Sequence, residues 1–312
     1  SGTLPDPITT AELMSYADRL GLSDQQRQAI SALHDDYKQQ FRILREGEVS
    51  QFLQDMRGAD SGGTMPSRKD VEDIFKRMSV LNRKIESLDT QLFEQMQNVL
   101  TPEQAANMPR VGMARERERC SAQRMLWVGG APAVDLSELV MEQKLPDADM
   151  KAADSILASY ESTLTSQMLK LQSASARMYL DMFDTMEQMG LTNVDFENDP
   201  EGMERFGQAM QTVWADLTKK ANAMAADIGE LNRRTLSSLG GVLPPDTART
   251  VRNQFYMKAY PESAFAFGDE SMFDSALRLR DLTDEQRQAL TTARDVYRTT
   301  CDQIGQQAVQ AI

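Results

Sequence analysis

His34 is the only histidine in this 312-residue chain. A single imidazole rules out multi-histidine metal sites and argues against Ser-His or Cys-His catalysis. Beside Asp35 and Asp36 it could contribute to a weak cation site. Hard cations need oxygen ligands converging from several places, so this triplet is expected to be a solvated helix face. Met178, Met182, Met186 and Met189 recur at three- and four-residue steps. Thioethers can hold Cu(I), fill a hairpin core or form a pliable surface for varied clients. Core packing weighs most, and the same four residues are the candidate client surface. Asp195-Phe196-Glu197-Asn198-Asp199 lacks the spacing and glycine of a calcium loop and reads as a solvated hairpin tip. Arg115-Glu116-Arg117-Glu118-Arg119 reads as a salt-bridged exposed helix face; no glycine-rich cradle precedes it to hold a phosphate. Cys120 and Cys301 lack metal-type spacing. A Cys120–Cys301 disulfide is an option if the chain is exported and their helices pack together; in a reducing compartment both are expected to be inert buried thiols. No nucleophile–base pair, metal cluster or phosphate loop stands out, so the chain is expected to be neither an enzyme nor a cofactor protein.

What positions these side chains is a phrase that recurs at helix starts. Leu22-Ser23-Asp24-Gln25-Gln26, Leu100-Thr101-Pro102-Glu103-Gln104 and Leu282-Thr283-Asp284-Glu285-Gln286 are close copies, and Leu145 to Asp149 and Leu243 to Thr247 are looser ones. Ser23, Thr101 and Thr283 are N-cap residues. Gln26, Gln104 and Gln286, three residues on, complete capping boxes, with the leading leucine as a hydrophobic staple. Pro102 suits the first helical position, and the acidic residues face the positive end of the helix dipole.

Four segments carry an apolar rhythm of three- and four-residue steps. Ile30, Leu33, Tyr37, Phe41, Leu44, Phe52 and Met56 form the first; Val71, Ile74, Met78, Leu81, Ile85, Leu88, Leu92 and Val99 form the second. The stretch from Gly58 to Pro66 between them reads as a turn, which makes a long antiparallel hairpin. Leu157 to Met189 and Met203 to Leu239 repeat the design around Asn198-Asp199-Pro200. Persistent β alternation is lacking, so the fold class is all-α. It comprises two tandem hairpin units and a C-terminal closing helix, with boundaries at 1–128, 129–270 and 271–312. The net charge of −13 argues against nucleic acid or an anionic membrane surface as partner. No apolar run approaches ~18 residues, so no transmembrane span is expected. The chain opens at Ser1-Gly2, which is expected of a processed or trimmed chain whose leader or anchor has been removed.

Leu-Thr-x-x-Gln phrases flanking a long hairpin, as Leu22 and Leu100 do here, resemble those of the Spy/CpxP family of bacterial periplasmic proteins. The resemblance covers residues 9–120 well and 145–260 on repeat logic. It implies an all-α fold, export to the periplasm and an ATP-independent chaperone. Unfolded or partly folded proteins would bind on a helical cradle, built by a homodimer or by a one-chain pseudo-dimer. Alternatives are a non-catalytic envelope scaffold and a metal-responsive sensor or Met-based copper carrier. The chain departs from the family in carrying two units and in being acidic where the family's chaperone cradle is basic.

Overall fold

A computed structural model describes residues 4–60, 67–122, 134–190, 200–260 and 271–311. Among these the regular elements are all helices, as the periodicity predicts. Helix α1 (Thr10–Arg19) starts at a Thr9–Glu12 capping box. It ends in a Schellman turn, in which Leu22 N donates to Ala17 O and Gly21 N to Asp18 O. Gly21 takes φ +61°, which a side chain would resist. The turn delivers the chain to the first motif, which opens α2 (Asp24–Leu44).

A π-helical turn, Arg45–Val49, joins α2 to α3 (Ser50–Asp60). It explains an irregularity of the stripe. The packed positions run Phe41, Leu44, Val49, Phe52, with Leu44 half-buried and the others buried, and the five-residue step from Leu44 to Val49 fits one wide π turn. In an unbroken α-helix that step would carry Val49 off the packed face. Helix α4 (Arg68–Gln97) returns along α2 and starts at a Ser67–Asp70 capping box. The second motif opens only one turn, α5 (Pro102–Ala105), before the chain restarts as α6 (Met108–Ala122). Pro109 accounts for the break: it has no N–H for an interior helix bond and is tolerated in the first turn of α6. The remaining helices are α7 (Leu136–Glu142), α8 (Asp147–Gln188), α9 (Pro200–Gly240), α10 (Pro245–Ala259), α11 (Ser271–Leu277) and α12 (Asp284–Ala311).

The helices form two compact units, Ser1–Ala131 with Glu161–Ile228 and Pro132–Tyr160 with Gly229–Ile312. Packing thus groups residues differently from the consecutive segments 1–128, 129–270 and 271–312, because α8 and α9 each contribute to both units. In the first unit, α1, α2, α3, α4 and α6 enclose a core that includes Leu13, Ile30, Phe52, Ile85, Leu92 and Met96. A second cluster unites Met178, Met182, Phe183 and Met186 of α8 with Val213, Leu217 and Ala221 of α9 and Val71 of α4. Each such large side chain contributes about 1.5–3 kcal/mol when fully buried. In the second unit α7 packs on α10 and α11 on α12. There Leu136, Leu139, Leu157, Leu239, Val251 and Phe255 are buried.

Candidate functional site

The first two motifs meet each other. Ser23 N donates to Gln26 Oε1 at 3.0 Å and Gln26 N to Ser23 Oγ at 3.4 Å. Thr101 N donates to Gln104 Oε1 at 3.0 Å and Gln104 N to Thr101 Oγ1 at 3.3 Å. Each box is therefore complete on its own. Beyond that, Gln26 Nε2 donates to Gln104 Oε1 at 2.7 Å, and Gln104 Nε2 donates to Gln26 Oε1 at 3.2 Å. Gln26 Nε2 also reaches Val99 O at 2.8 Å, and Gln104 Nε2 reaches Gly21 O at 3.1 Å. Each carbonyl belongs to the residue just before the opposite motif. The arrangement is reciprocal, and one orientation of each amide satisfies it: oxygen toward its own cap, nitrogen toward the other strand of the latch. The third motif repeats the box alone, with Thr283 N to Gln286 Oε1 at 3.0 Å and Gln286 N to Thr283 Oγ1 at 3.2 Å. Of the looser copies, the one at Leu243 opens α10 with Pro244 at the N-cap and no side-chain cap bond.

The first unit also holds a buried polar chain across α2, α4 and α6. Ile8 N donates to Tyr37 Oη at 3.0 Å, Tyr37 Oη donates to Asp89 Oδ1 at 2.7 Å, and Arg115 Nε donates to Asp89 Oδ2 at 2.7 Å. Arg115 Nη2 also reaches Asp6 O at 2.8 Å. Burial, and then the Asp89 carboxylate, push the Tyr37 hydroxyl well above its usual range. Burial would lower Arg115, but the charge and hydrogen bonds of Asp89 outweigh it and hold the guanidinium firmly protonated. A second buried carboxylate, Glu161, takes Arg19 Nη1 at 2.7 Å and Arg110 Nε at 2.6 Å. Arg117 Nη1 donates to Thr165 Oγ1 at 3.0 Å.

These contacts correct two expectations. The Arg115–Arg119 run is not an exposed face: Arg115 and Arg117 are each 3% exposed. His34 is not on a solvated face either; it is 1% exposed and bonds Ile8 O through Nε2 at 2.7 Å. Asp35 and Asp36 beside it are exposed. Alternating charge on a helix looks the same whether its cations meet water or buried carboxylates, so the sequence could not separate the two.

A related chain recurs in the second unit. Leu136 N donates to Tyr160 Oη at 3.1 Å, and Tyr160 Oη donates to Asn232 Oδ1 at 2.8 Å. Tyr37 and Tyr160 each stand fifteen residues after a motif leucine, Leu22 and Leu145; Asp89 and Asn232 each stand eleven before the next, Leu100 and Leu243. The one change is chemically consistent. Arg115 lies fifteen residues after Leu100, but the corresponding Lys258 pairs with Glu142 at the surface. Without a buried cation, a neutral Asn replaces the carboxylate. This tyrosine spacing was the signal by which the anchors could have been found from sequence.

The Met run is mostly core. Met178, Met182 and Met186 are buried and Met189 is exposed. Cys120 and Cys301 are both free thiols and lie in different units. Cys120 is buried, with Sγ 3.7 Å from Gln172 Oε1; burial first, then the Glu116 carboxylate, push its thiol up to about 12. Cys301 is half-buried. Their helices are not equivalent, since the segment after Leu100 breaks before α6 while α12 runs on. The acidic run from Asp195 to Asp199 lies outside the described residues. In the second unit a cleft of about 540 Å³ is lined in part by Arg249, Arg252, Tyr256, Asp246 and Asp302. Two of its three arginines are matched within it, Arg249 to Asp246 at 3.1 Å and Arg252 to Asp302, and the third, Arg233, pairs with Glu230 outside the lining.

Fold and motif together define a helical-hairpin protein whose first hairpin is closed at its base by paired capping amides. Residues 10–111 match the family described as LTXXQ motif family protein, in agreement with the Spy/CpxP-like pattern. The matched stretch runs from α1 into α6 and contains both latched motifs. That family is associated with periplasmic proteins and is not a known enzyme family. No curated protein and no solved structure matches the chain. Among the described residues no helix is long and apolar enough to cross a membrane.

Proposed function

We propose that this is a periplasmic, non-catalytic protein that binds unfolded or partly folded clients without ATP. The observation that carries the reading is the family match over residues 10–111, with its two motifs joined as the closing latch of a hairpin. Because three of the four methionines of the run are packed between α8 and α9, client contact in this conformation falls to other side chains. In the first unit Ile43, Val80, Leu169, Met203 and Trp214 stand exposed among charged neighbours. We also read the chain as a duplicated hairpin; the equal spacing of Tyr37 and Tyr160 from their motif leucines supports this. The test is suppression of aggregation of an unrelated client at equal molar ratio without nucleotide. Ile43→Ser with Trp214→Ser is expected to weaken suppression while leaving the thermal melt intact. No suppression by the unaltered chain, with retention of a single specific partner instead, would replace this reading by that of an envelope scaffold.

A further inference from the structure

The C-terminal part of α8 and the N-terminal half of α9 are held together by methionine. Their cluster buries Met178, Met182, Phe183 and Met186 with Val213, Leu217 and Ala221 of α9 and Val71 of α4. Phe206 and Met210 pack against it half-buried. No side chain in the buried part of this cluster carries a hydrogen-bond donor. Met189 and Met203 stand where α8 ends and α9 begins, and they are 49% and 50% exposed. Met178 and Met182 still reach solvent at 6% and 7%, whereas Met186 is sealed at 1%.

A thioether suits such a cluster because it is apolar and pliant, and one reaction removes that property. The sulfur attacks hydrogen peroxide, an S–O bond forms, the O–O bond breaks, and the other oxygen leaves with both protons as water. Sulfur is oxidised, peroxide is reduced, and the sulfoxide that results is polar. At Met189 and Met203 water satisfies the new oxygen. At Met178 the hydroxyl of Ser175, buried three residues earlier without a hydrogen-bond partner, is placed to satisfy it. At Met182 and Met186 no buried member of the cluster can, so each sulfoxide is a buried unsatisfied acceptor. Packing then loses to a state in which the two helices part and the oxygens reach water, by about tenfold or more for each sulfoxide. That state uncovers Phe183, Val213 and Leu217. The order of exposure also sets a threshold: Met189 and Met203 consume mild oxidant first, and Met186 is reached last.

We propose that Met182 and Met186 are an oxidation site, at which a peroxide unlocks the α8–α9 packing and uncovers apolar surface for unfolded clients. The gain in capture rests on the client binding proposed above; the opening does not. The test treats the full chain with hydrogen peroxide and maps oxygen uptake to each methionine by mass spectrometry. Once Met182 and Met186 are oxidised, amides over 174–189 and 203–221 are expected to exchange at least about tenfold faster, while those of α2 stay protected. Less chain should then hold the same unrelated client in solution. Methionine sulfoxide reductase with a thiol should reverse both changes. Met182→Leu with Met186→Leu keeps nearly the same core volume and should show neither change, whereas Met189→Leu should show both. Unchanged exchange in the oxidised chain, faster exchange that the reductase does not restore, faster exchange that survives in the double leucine variant, or oxygen reaching Met182 and Met186 only after α2 has also opened would each overturn the proposal. Opening that adds nothing to capture by a chain already active in its reduced form would overturn the link to clients and leave the client-binding reading standing. Opening in a chain that captures nothing in either form would overturn that reading instead and leave the oxidation site standing.

Discussion

Gln26 and Gln104 do two jobs with one amide each, and the third motif supplies an internal control. Gln286 closes a capping box, so Gln286→Ala is expected to cost only about 0.5–1 kcal/mol. Gln26→Ala or Gln104→Ala also breaks the latch and leaves a partner amide and a backbone carbonyl short of a bond. Each is expected to cost about 1–3 kcal/mol in urea unfolding, and the double variant should cost clearly less than the sum. Asp89→Asn takes away the buried carboxylate that holds Arg115, whose other acidic partner, Glu12, lies farther off at 3.7 Å, and a loss of about 3–5 kcal/mol is expected. Adding Arg115→Met should recover most of it, because the pair then resembles the neutral Tyr160–Asn232 anchor; no recovery would show that the anchor analogy is wrong. The Cys120 thiol is raised from about 9 to about 12 in the fold. The fold therefore favours the protonated form, a contribution complete below pH 9 and lost as pH rises toward 12. At pH 8 a thiol reagent should label Cys301 readily and Cys120 only on unfolding; equal labelling rates would refute this.

At the scale of elements, local signals were legible and long-range ones were not. The long hairpin helices and the three strict capping boxes follow from apolar spacing and from residues three apart, and they stand where the sequence puts them. The break between α5 and α6, the depth of Arg115 and His34, and the latch itself depend on partners far along the chain, which periodicity does not encode. The π turn belongs with the latter: periodicity carries the stripe from Leu44 to Phe52 in ordinary α-helical phase, and the place of Val49 on it required the fold. If that turn is a one-residue insertion, deleting exposed Gly47 should let α2 and α3 fuse into one α-helix with Phe41, Leu44, Val49 and Phe52 still in line. The melting temperature should then hold or rise, since a glycine also leaves a helix interior. Deleting Gln39 instead rotates the later stripe out of the core and should cost several kcal/mol through Val49 and Phe52. Equal damage from the two deletions would refute the phase argument.

At the scale of the whole molecule, the net charge of −13 gives the proposed client binding a test by charge. A basic unfolded client should be captured faster than an acidic one of similar hydropathy. That preference should fade as added salt shortens the Debye length from about 10 Å at 0.1 M toward about 3 Å at 1 M; salt-independent capture would leave charge without a role. The latch has a different consequence, one of time. The Gln26–Gln104 pair joins residues 78 apart in sequence, so it can close only after the intervening hairpin has formed and brought its ends together. A contact made that late is absent from the folding transition state. Removing it should leave the refolding rate nearly unchanged and speed unfolding instead. The motif that marks where helices begin would then govern how long the finished hairpin persists before it opens.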